Sequence, residues 1–260
     1  MFGRINRFLA FWGFQITVFK RHWKGLKWYR QDLQTLKTQK GNDETFAWGE
    51  KILMLGERNS EAGNMKGQYF HQDLYVARLI FQANPIKHID IGSRIDGFVA
   101  HIAVFRPIEI IDIRPIKSQV LNISFRQGDL MQLPKDLVNC CDSVSCLHAI
   151  EHFGLGRYGD TIDYWGYLKA FENITQMLQQ GGRFYFSVPI GKQRIEFNAH
   201  RVFSVAYLLT LFEIHFTVET FSYIDDQGDF HENVPLQTAQ IENNYGCRLG
   251  CGIFVLLKNK

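Results

Sequence analysis

Apolar positions along the chain begin to alternate between helical and strand patterns near Gly67. Over 68–82 the apolar residues Tyr69, Leu74, Val76, Leu79 and Ile80 sit near helical spacing, and Asn84-Pro85 stops the run. Short apolar runs predict strands over 86–91, 108–113, 123–126, 142–147, 183–188, 216–223 and 252–257. Helical patterns occupy 96–105, 162–179 and 203–212, the second closed by Gly181-Gly182 as a helix C-terminus prefers. Nearly continuous apolar strands alternating with helices specify an α/β domain with a parallel sheet covered on both faces. The stretch 225–250 reads as one long irregular loop between the last two strands. Loops of that length are usually functional or mobile.

The chain has 260 residues, 46% hydrophobic and 21% charged, which excludes disordered, collagen-like and coiled-coil classes. Charge changes the picture more than composition does. Residues 1–40 hold nine lysines and arginines and one acid, Asp32, which is +8 and leaves −5 for the rest of a chain whose net charge is +3. A basic arm over 1–40 therefore precedes a mildly acidic domain over 41–260, with its core from about 67 and Gly41-Asn42-Asp43 as a plausible linker. The arm's apolar run, 8–19, is about twelve residues against the roughly twenty that span a bilayer. The cationic sequence KRHWKGLKWYR that follows it is wrong for an export signal. Aromatics interleaved with cations (Phe8, Phe11, Trp12, Phe14, Phe19, Trp23, Trp28, Tyr29) suit a helix lying in the headgroup layer of a membrane. The other reading is a helix that packs its apolar side on the body or on a second subunit of a homo-oligomer. No nucleic-acid module accompanies the basic stretch, so no nucleic-acid partner is expected. Five cysteines in no regular framework point to a reducing cytoplasm, and Cys247-x3-Cys251 lacks a second ligand pair at zinc-finger spacing. The expected location is cytoplasmic, with the arm peripheral on the inner face of the membrane.

Five segments carry candidate chemistry. HIDIGSRIDGF (88–98) is a strand ending in a glycine turn before a helix, which presents backbone N–H groups at the carboxyl edge of a parallel sheet. Its glycines, Gly92 and Gly97, are not in G-x-G-x-x-G register, so a dinucleotide pyrophosphate is poorly served. Asp112 ends the next strand, 22 residues after Asp90, where a carboxylate accepts hydrogen bonds from ribose hydroxyls. Gly128-Asp129-Leu130 follows the third strand, where Asp129 is placed to accept from an adenine amino group. CDSVSCLHAIEHF (141–153) runs from strand into polar loop, and LQQGGRFYFSVP (178–189) leads into the fifth strand.

In this order the segments resemble the motifs of the class I S-adenosylmethionine-dependent methyltransferases, a seven-stranded Rossmann-like superfamily. The resemblance covers roughly residues 67–260. DIGSRIDGF together with EHFGLGRYGD resembles a little-characterised methyltransferase-like branch whose members occur among sugar- and glycan-modifying enzymes. The resemblance implies a mostly parallel sheet with an antiparallel last strand, and S-adenosyl-L-methionine as cofactor. It implies that Asp90, Gly92 and Ser93 shape the pocket for the methionine end and that Asp112 and Ile113 flank the ribose. Gly128, Asp129 and Leu130 would meet the adenine, while Leu147 and His148 would line the cofactor near the reacting methyl. One residue departs from the family pattern: Arg94 stands where a second glycine is usual, so it must point away from the sulfonium or bind the cofactor carboxylate.

Methyl transfer from a sulfonium is an in-line substitution, which gains from alignment of the reactants and, for a hydroxyl acceptor, from a base. His148, Glu151 and His152 share one face if their stretch is helical and are the catalytic candidates, His148 or His152 as base. The same trio is the alternative of a divalent-metal site, though none is assigned. Arg157, Tyr158 and Asp160 on a glycine-rich loop, Tyr69 and His71 on the helix before the first strand, and His200 after the fifth are the candidates for binding the acceptor. Asp73 and Arg201 stand beside them. The expected activity is O-methylation of a sugar or glycan precursor. The alternatives are a non-catalytic binding protein of the same fold and a nicotinamide-dependent sugar-modifying enzyme. The latter typically needs Tyr-x-x-x-Lys, and no tyrosine here has a lysine four residues on.

Overall fold

The computed structural model describes residues 12–259 except 14, 59–62 and 64. The chain divides into two compact units at 64/65. In the first, helix α1 (Ile16–Lys40) ends at Gly41, whose N–H bonds Lys37 O. Gly25 lies on that helix against Leu55, where an added Cβ would come within 2.9 Å of the Leu55 side chain. Arg58 pairs with Asp32 and lies 4.1 Å over the Trp28 ring. No helix among the described residues is long and apolar enough to cross a membrane. The part of the expected arm before Trp12 lies outside the described residues.

The second unit is an α/β sandwich. It contains α2 (Gln68–Ala83), β1 (His88–Ile91), a wide turn over Ile95–Val99 running into α3 (Ala100–Ala103), β2 (Ile108–Asp112), β3 (Ile123–Gln127) and β4 (Cys141–Leu147). It continues with α4 (Gly166–Met177), β5 (Leu178–Ile190), β6 (Arg194–Glu196), β7 (His200–Val202), α5 (Val205–Phe212) and β8 (Phe216–Ile224). β9 (Phe230–His231), α6 (Thr238–Glu242) and β10 (Gly250–Lys258) complete it. The main sheet has the order β3-β2-β1-β4-β5-β10-β8-β9. β1 to β5 run parallel, while β10 inserts antiparallel between β5 and β8. Alternate strand residues feed two cores. Phe184, Phe186 and Val188 point with Phe171 and Phe212 to one face, while Tyr185 joins Val76, Ile80 and Phe98 on the other.

Seven of the sheet's eight strands were expected. The eighth, β9, arises inside the presumed irregular loop, where Asp225 accepts N–H bonds from Gln227 and Asp229 and folds Phe230–His231 back onto Tyr223–Ile224. Gly181 and Gly182 do not close a helix. They form a bulge in β5, which starts directly after α4, and the β4–β5 register shifts there. The predicted helix 96–105 opens as a π-turn with Val99 N–H bonded to Arg94 O. The Asp73 carboxylate enters beneath it, 2.3 Å from where a Cβ on Gly97 would stand. The five cysteines are all free.

Candidate functional site

β1 has β2 on one side and β4 on the other, so the strand order reverses there and the chain opens a crevice at the carboxyl ends of these strands. Two adjoining chambers occupy it and share Gly92, Arg114, His148, His152 and Tyr158 as walls. The inner one is also lined by Ile111, Asp112, Ile113, Gly128, Asp129, Leu130 and Asp160. The outer one adds Tyr69, Ser93, Arg94, Leu147, Glu151, Arg157 and His200.

The floor is built from buried polar groups. Gly92 turns at φ +67°, its N–H bonded to Ile111 O at 3.0 Å, and a Cβ there would stand 3.1 Å from the Ala149 side chain. Only glycine makes this turn cheaply while keeping the backbone bare toward the crevice. Asp90 lies fully buried under the turn. It accepts from Ser93 N (3.0 Å), Ser93 Oγ (2.7 Å) and Ser145 Oγ (2.5 Å), so it shapes the pocket from beneath. Burial pushes its carboxyl up to about 6 against those hydrogen bonds. His88 holds Ser143 and Ser145, and its own burial drives it down to about 3, keeping the ring neutral.

Asp112 ends β2 with both carboxylate oxygens on the Arg114 guanidinium, at 3.0 and 2.7 Å, and its side chain 11% exposed. Arg114 in turn lies 4.4 Å over the Tyr158 ring. Asp129 turns one oxygen onto Met131 N. Leu130 is buried, its carbonyl held by Asn173.

On the opposite wall, His148 leaves β4 at φ +51°, its N–H bonded to Ser187 O (3.0 Å) and Ser187 Oγ (3.2 Å). Its Nδ1 donates to Glu151 Oε1 at 2.9 Å, and its Nε2 is buried with no partner among the described residues. Burial alone would push this imidazole down. The Cys251 thiol beside it and the Glu151 carboxylate outweigh burial and hold the ring well above its usual range. Glu151 is buried as well, yet His148, and His152 behind it, hold its carboxyl below the usual range. Each of the two buried groups thus favours the charged form of the other. His152 donates Nδ1 to Ala199 O at 2.6 Å, and burial keeps it below the usual imidazole value. The three side chains spend their near atoms on one another and on Ala199 O, and the described residues hold no group of three His, Cys, Asp or Glu that could hold a metal ion.

Most of the residues expected to meet a ligand do line the chambers, with exceptions. His71 stacks on Phe230 at 5.7 Å and faces β9, not the crevice. Asp160 lines the inner chamber, but its carboxylate is spent on the N–H groups of Gly154, Gly156 and Tyr158, organising the loop. Arg201 does not face an acceptor; it is 4% exposed and clamps the carbonyls of Phe153 and Tyr164 over the Tyr167 ring. Arg94 lines the outer chamber, bidentate on Asp96 and 5.0 Å from the Tyr69 ring centre. Tyr69 thus sits between Arg94 and His148, the latter at 5.3 Å.

Sequence reasoning missed two features. Arg114 is one; its only signal is an arginine two residues past the strand-ending Asp112. The other is the relay Asp73–Gln72–Ser187, in which Ser187 Oγ donates to Gln72 Oε1 and Gln72 Nε2 to Asp73 Oδ1. It ties helix α2 to the His148 backbone and carries no local sequence signal.

A family model described as "Caenorhabditis protein of unknown function, DUF268" matches residues 110–256. No curated protein matches the chain. Among solved structures, a putative sarcosine dimethylglycine methyltransferase from Galdieria sulphuraria is 14% identical with a TM-score of 0.50, over 73% of this chain and 86% of that one. The [4+2]-cyclase SpnF is 12% identical with a TM-score of 0.50, over 71% and 82%. The N-methyltransferase NodS from Bradyrhizobium japonicum WM9, solved with S-adenosyl-L-homocysteine, is 13% identical with a TM-score of 0.49, over 75% and 89%. At these identities the likeness is one of fold, the Rossmann-like fold of the class I methyltransferases.

Proposed function

The chain belongs to the DUF268 family, and we propose that it is an S-adenosylmethionine-dependent methyltransferase that methylates a hydroxyl of a sugar or glycan precursor. The observation that carries this reading is Asp112, a nearly buried carboxylate at the end of β2, in one chamber with the bare Gly92 turn and Asp129. The cofactor fits these residues. Asp112 would hold the ribose hydroxyls as Arg114, which takes three of its carboxylate's acceptor sites, yields them, with Asp129 and Leu130 at the adenine and the Gly92–Ser93 turn at the methionine end. When bound, the cofactor supplies an electrophilic methyl on a sulfonium.

The chain's own part is to align and to move a proton. Glu151 fixes the His148 ring through Nδ1, and the ring lines both chambers while its Nε2 is buried without a hydrogen-bond partner among the described residues. In its neutral form such an imidazole takes a proton from a hydroxyl, and the partner that raises its pKa also strengthens it as a base. The rings of Tyr69 and Tyr158, with Arg157 and His200 around them, offer the mixed aromatic and polar wall that suits a sugar. Fold alone leaves the reaction open, since the cyclase SpnF shares it. The non-catalytic alternative was motivated by Arg94, which pairs with the exposed Asp96 at the chamber wall. Mass spectrometry of glycans from cells with and without the gene tests the reading. Loss of a methyl mass increment supports it, and unchanged glycan methylation counts against it.

For the arm we propose contact with an anionic membrane surface on its cytoplasmic side. Phe19 and Trp23 are exposed and stacked at 6.1 Å, and Lys20 and Lys24 share their patch. Such a surface suits a charged headgroup layer. Deleting residues 1–40 should abolish flotation with vesicles containing phosphatidylserine, and unchanged recovery would refute the contact.

A further inference from the structure

Three arginines line the outer chamber, and two of them are neutralised. Arg94 lies on Asp96 and Arg114 on Asp112. Arg157 forms no ion pair among the described residues. Its Nη1 donates to Ala199 O at 2.9 Å, and its guanidinium lies 5.1 Å from the Tyr158 ring centre. The same carbonyl receives His152 Nδ1, and the next residue is His200, which lines the chamber. Arg157 is thus fixed at one point of the wall with most of its N–H fork unspent. The Tyr158 backbone N–H behind it is held by Asp160. In the same chamber stands His148, 5% exposed at its side chain, with Nε2 buried and unpartnered. Its neighbour Glu151 is the one carboxylate of that chamber's wall; its Oε1 holds His148 and its Oε2 is buried without a partner among the described residues.

We propose that the acceptor carries an oxyanion, phosphoryl or carboxylate, which Arg157 grips in the chamber that His148 also lines. A guanidinium fork matches both oxyanions and binds them with charge-assisted hydrogen bonds. This rests on the methyltransferase reading and narrows it from sugars in general to anionic ones, such as sugar phosphates or uronates.

The test is calorimetry on the full chain with S-adenosylhomocysteine present, using inorganic pyrophosphate, glucuronate and glucose as probes. One of the two anions should bind more tightly than glucose, and which one does so tells phosphoryl from carboxylate. Arg157→Gln keeps a donor for Ala199 O and removes the charge. It should weaken the anion about tenfold or more and leave S-adenosylhomocysteine affinity unchanged, with Arg157→Lys in between. The proposal is overturned if neither anion outbinds glucose, or if Arg157→Gln binds the anion as the wild type does. Equal loss of S-adenosylhomocysteine would also overturn it, by assigning Arg157 to the cofactor. If S-adenosylhomocysteine fails to bind while an Arg157-dependent anion still does, the methyltransferase reading falls and the oxyanion site stands.

Discussion

Replacing Glu151 tests the chemistry of the site before any acceptor is known. Its carboxylate is 1% exposed at the side chain and holds His148 Nδ1 at 2.9 Å. Removing one partner of a buried ion pair typically costs about 3–5 kcal/mol, because the other charge is left buried and alone. His148 can escape that cost by shedding its proton, so the penalty depends on pH. The folded state raises the imidazole, so its contribution to stability is full below the ordinary histidine value and fades as pH rises through the folded value. The folded state lowers the Glu151 carboxyl, so its contribution is full above the ordinary carboxylate value and fades as pH falls through the folded one. Both contributions overlap between about pH 4.5 and 6.5, where Glu151→Ala should cost most. The cost should shrink in alkali. Glu151→Gln keeps an acceptor for Nδ1 and should cost less. Two assays read this: urea unfolding across pH, and the imidazole ring signals of His148 by NMR. The wild-type ring should titrate above the ordinary histidine range, and Glu151→Gln should move it down. A wild-type ring that titrates in or below the ordinary range, or one unmoved by Glu151→Gln, would refute the pair.

Other predictions follow from the loop and the floor. Gly154 turns at φ +76° with the Asp163 carbonyl only 1.9 Å from where a Cβ would stand. Gly154→Ala should therefore destabilise the protein by about 1–3 kcal/mol in chemical unfolding and loosen Asp160, whereas the exposed Gly159→Ala should cost less. Asp90 is raised to about 6 by burial. Its contribution is therefore present below the ordinary aspartate value and lost as pH rises through about 6, a swing of roughly 3 kcal/mol. Asp90→Asn should flatten the pH dependence of unfolding between about pH 4 and 6, and an unchanged profile would count against this burial effect.

The sheet was legible in the sequence because its strands are buried on both faces and read as apolar runs: HIDI and IEIID are nearly unbroken. Local glycine chemistry was legible at Gly92, where strand, turn and helix follow in order. It misled at Gly181-Gly182, because a C-cap and a strand bulge both call for glycine and only the β4 pairing decides between them. The pairing of His148 with Glu151 was legible from their spacing. The direction of Arg201 and His71 was not, since each is set by partners far along the chain: the Phe153 and Tyr164 carbonyls for one, Phe230 for the other. The buried Asp73–Gln72–Ser187 relay joins residues more than a hundred positions apart and escapes any local pattern.

The proposed methyltransferase takes S-adenosylmethionine in the inner chamber on Asp112, and calorimetry with the cofactor, on the wild type and on Asp112→Asn, decides it. The wild type should bind saturably. The variant should lose about 1–2 kcal/mol, for ribose hydrogen bonds weakened by the lost charge. Absence of binding at millimolar cofactor, or equal affinity in the two proteins, would contradict it.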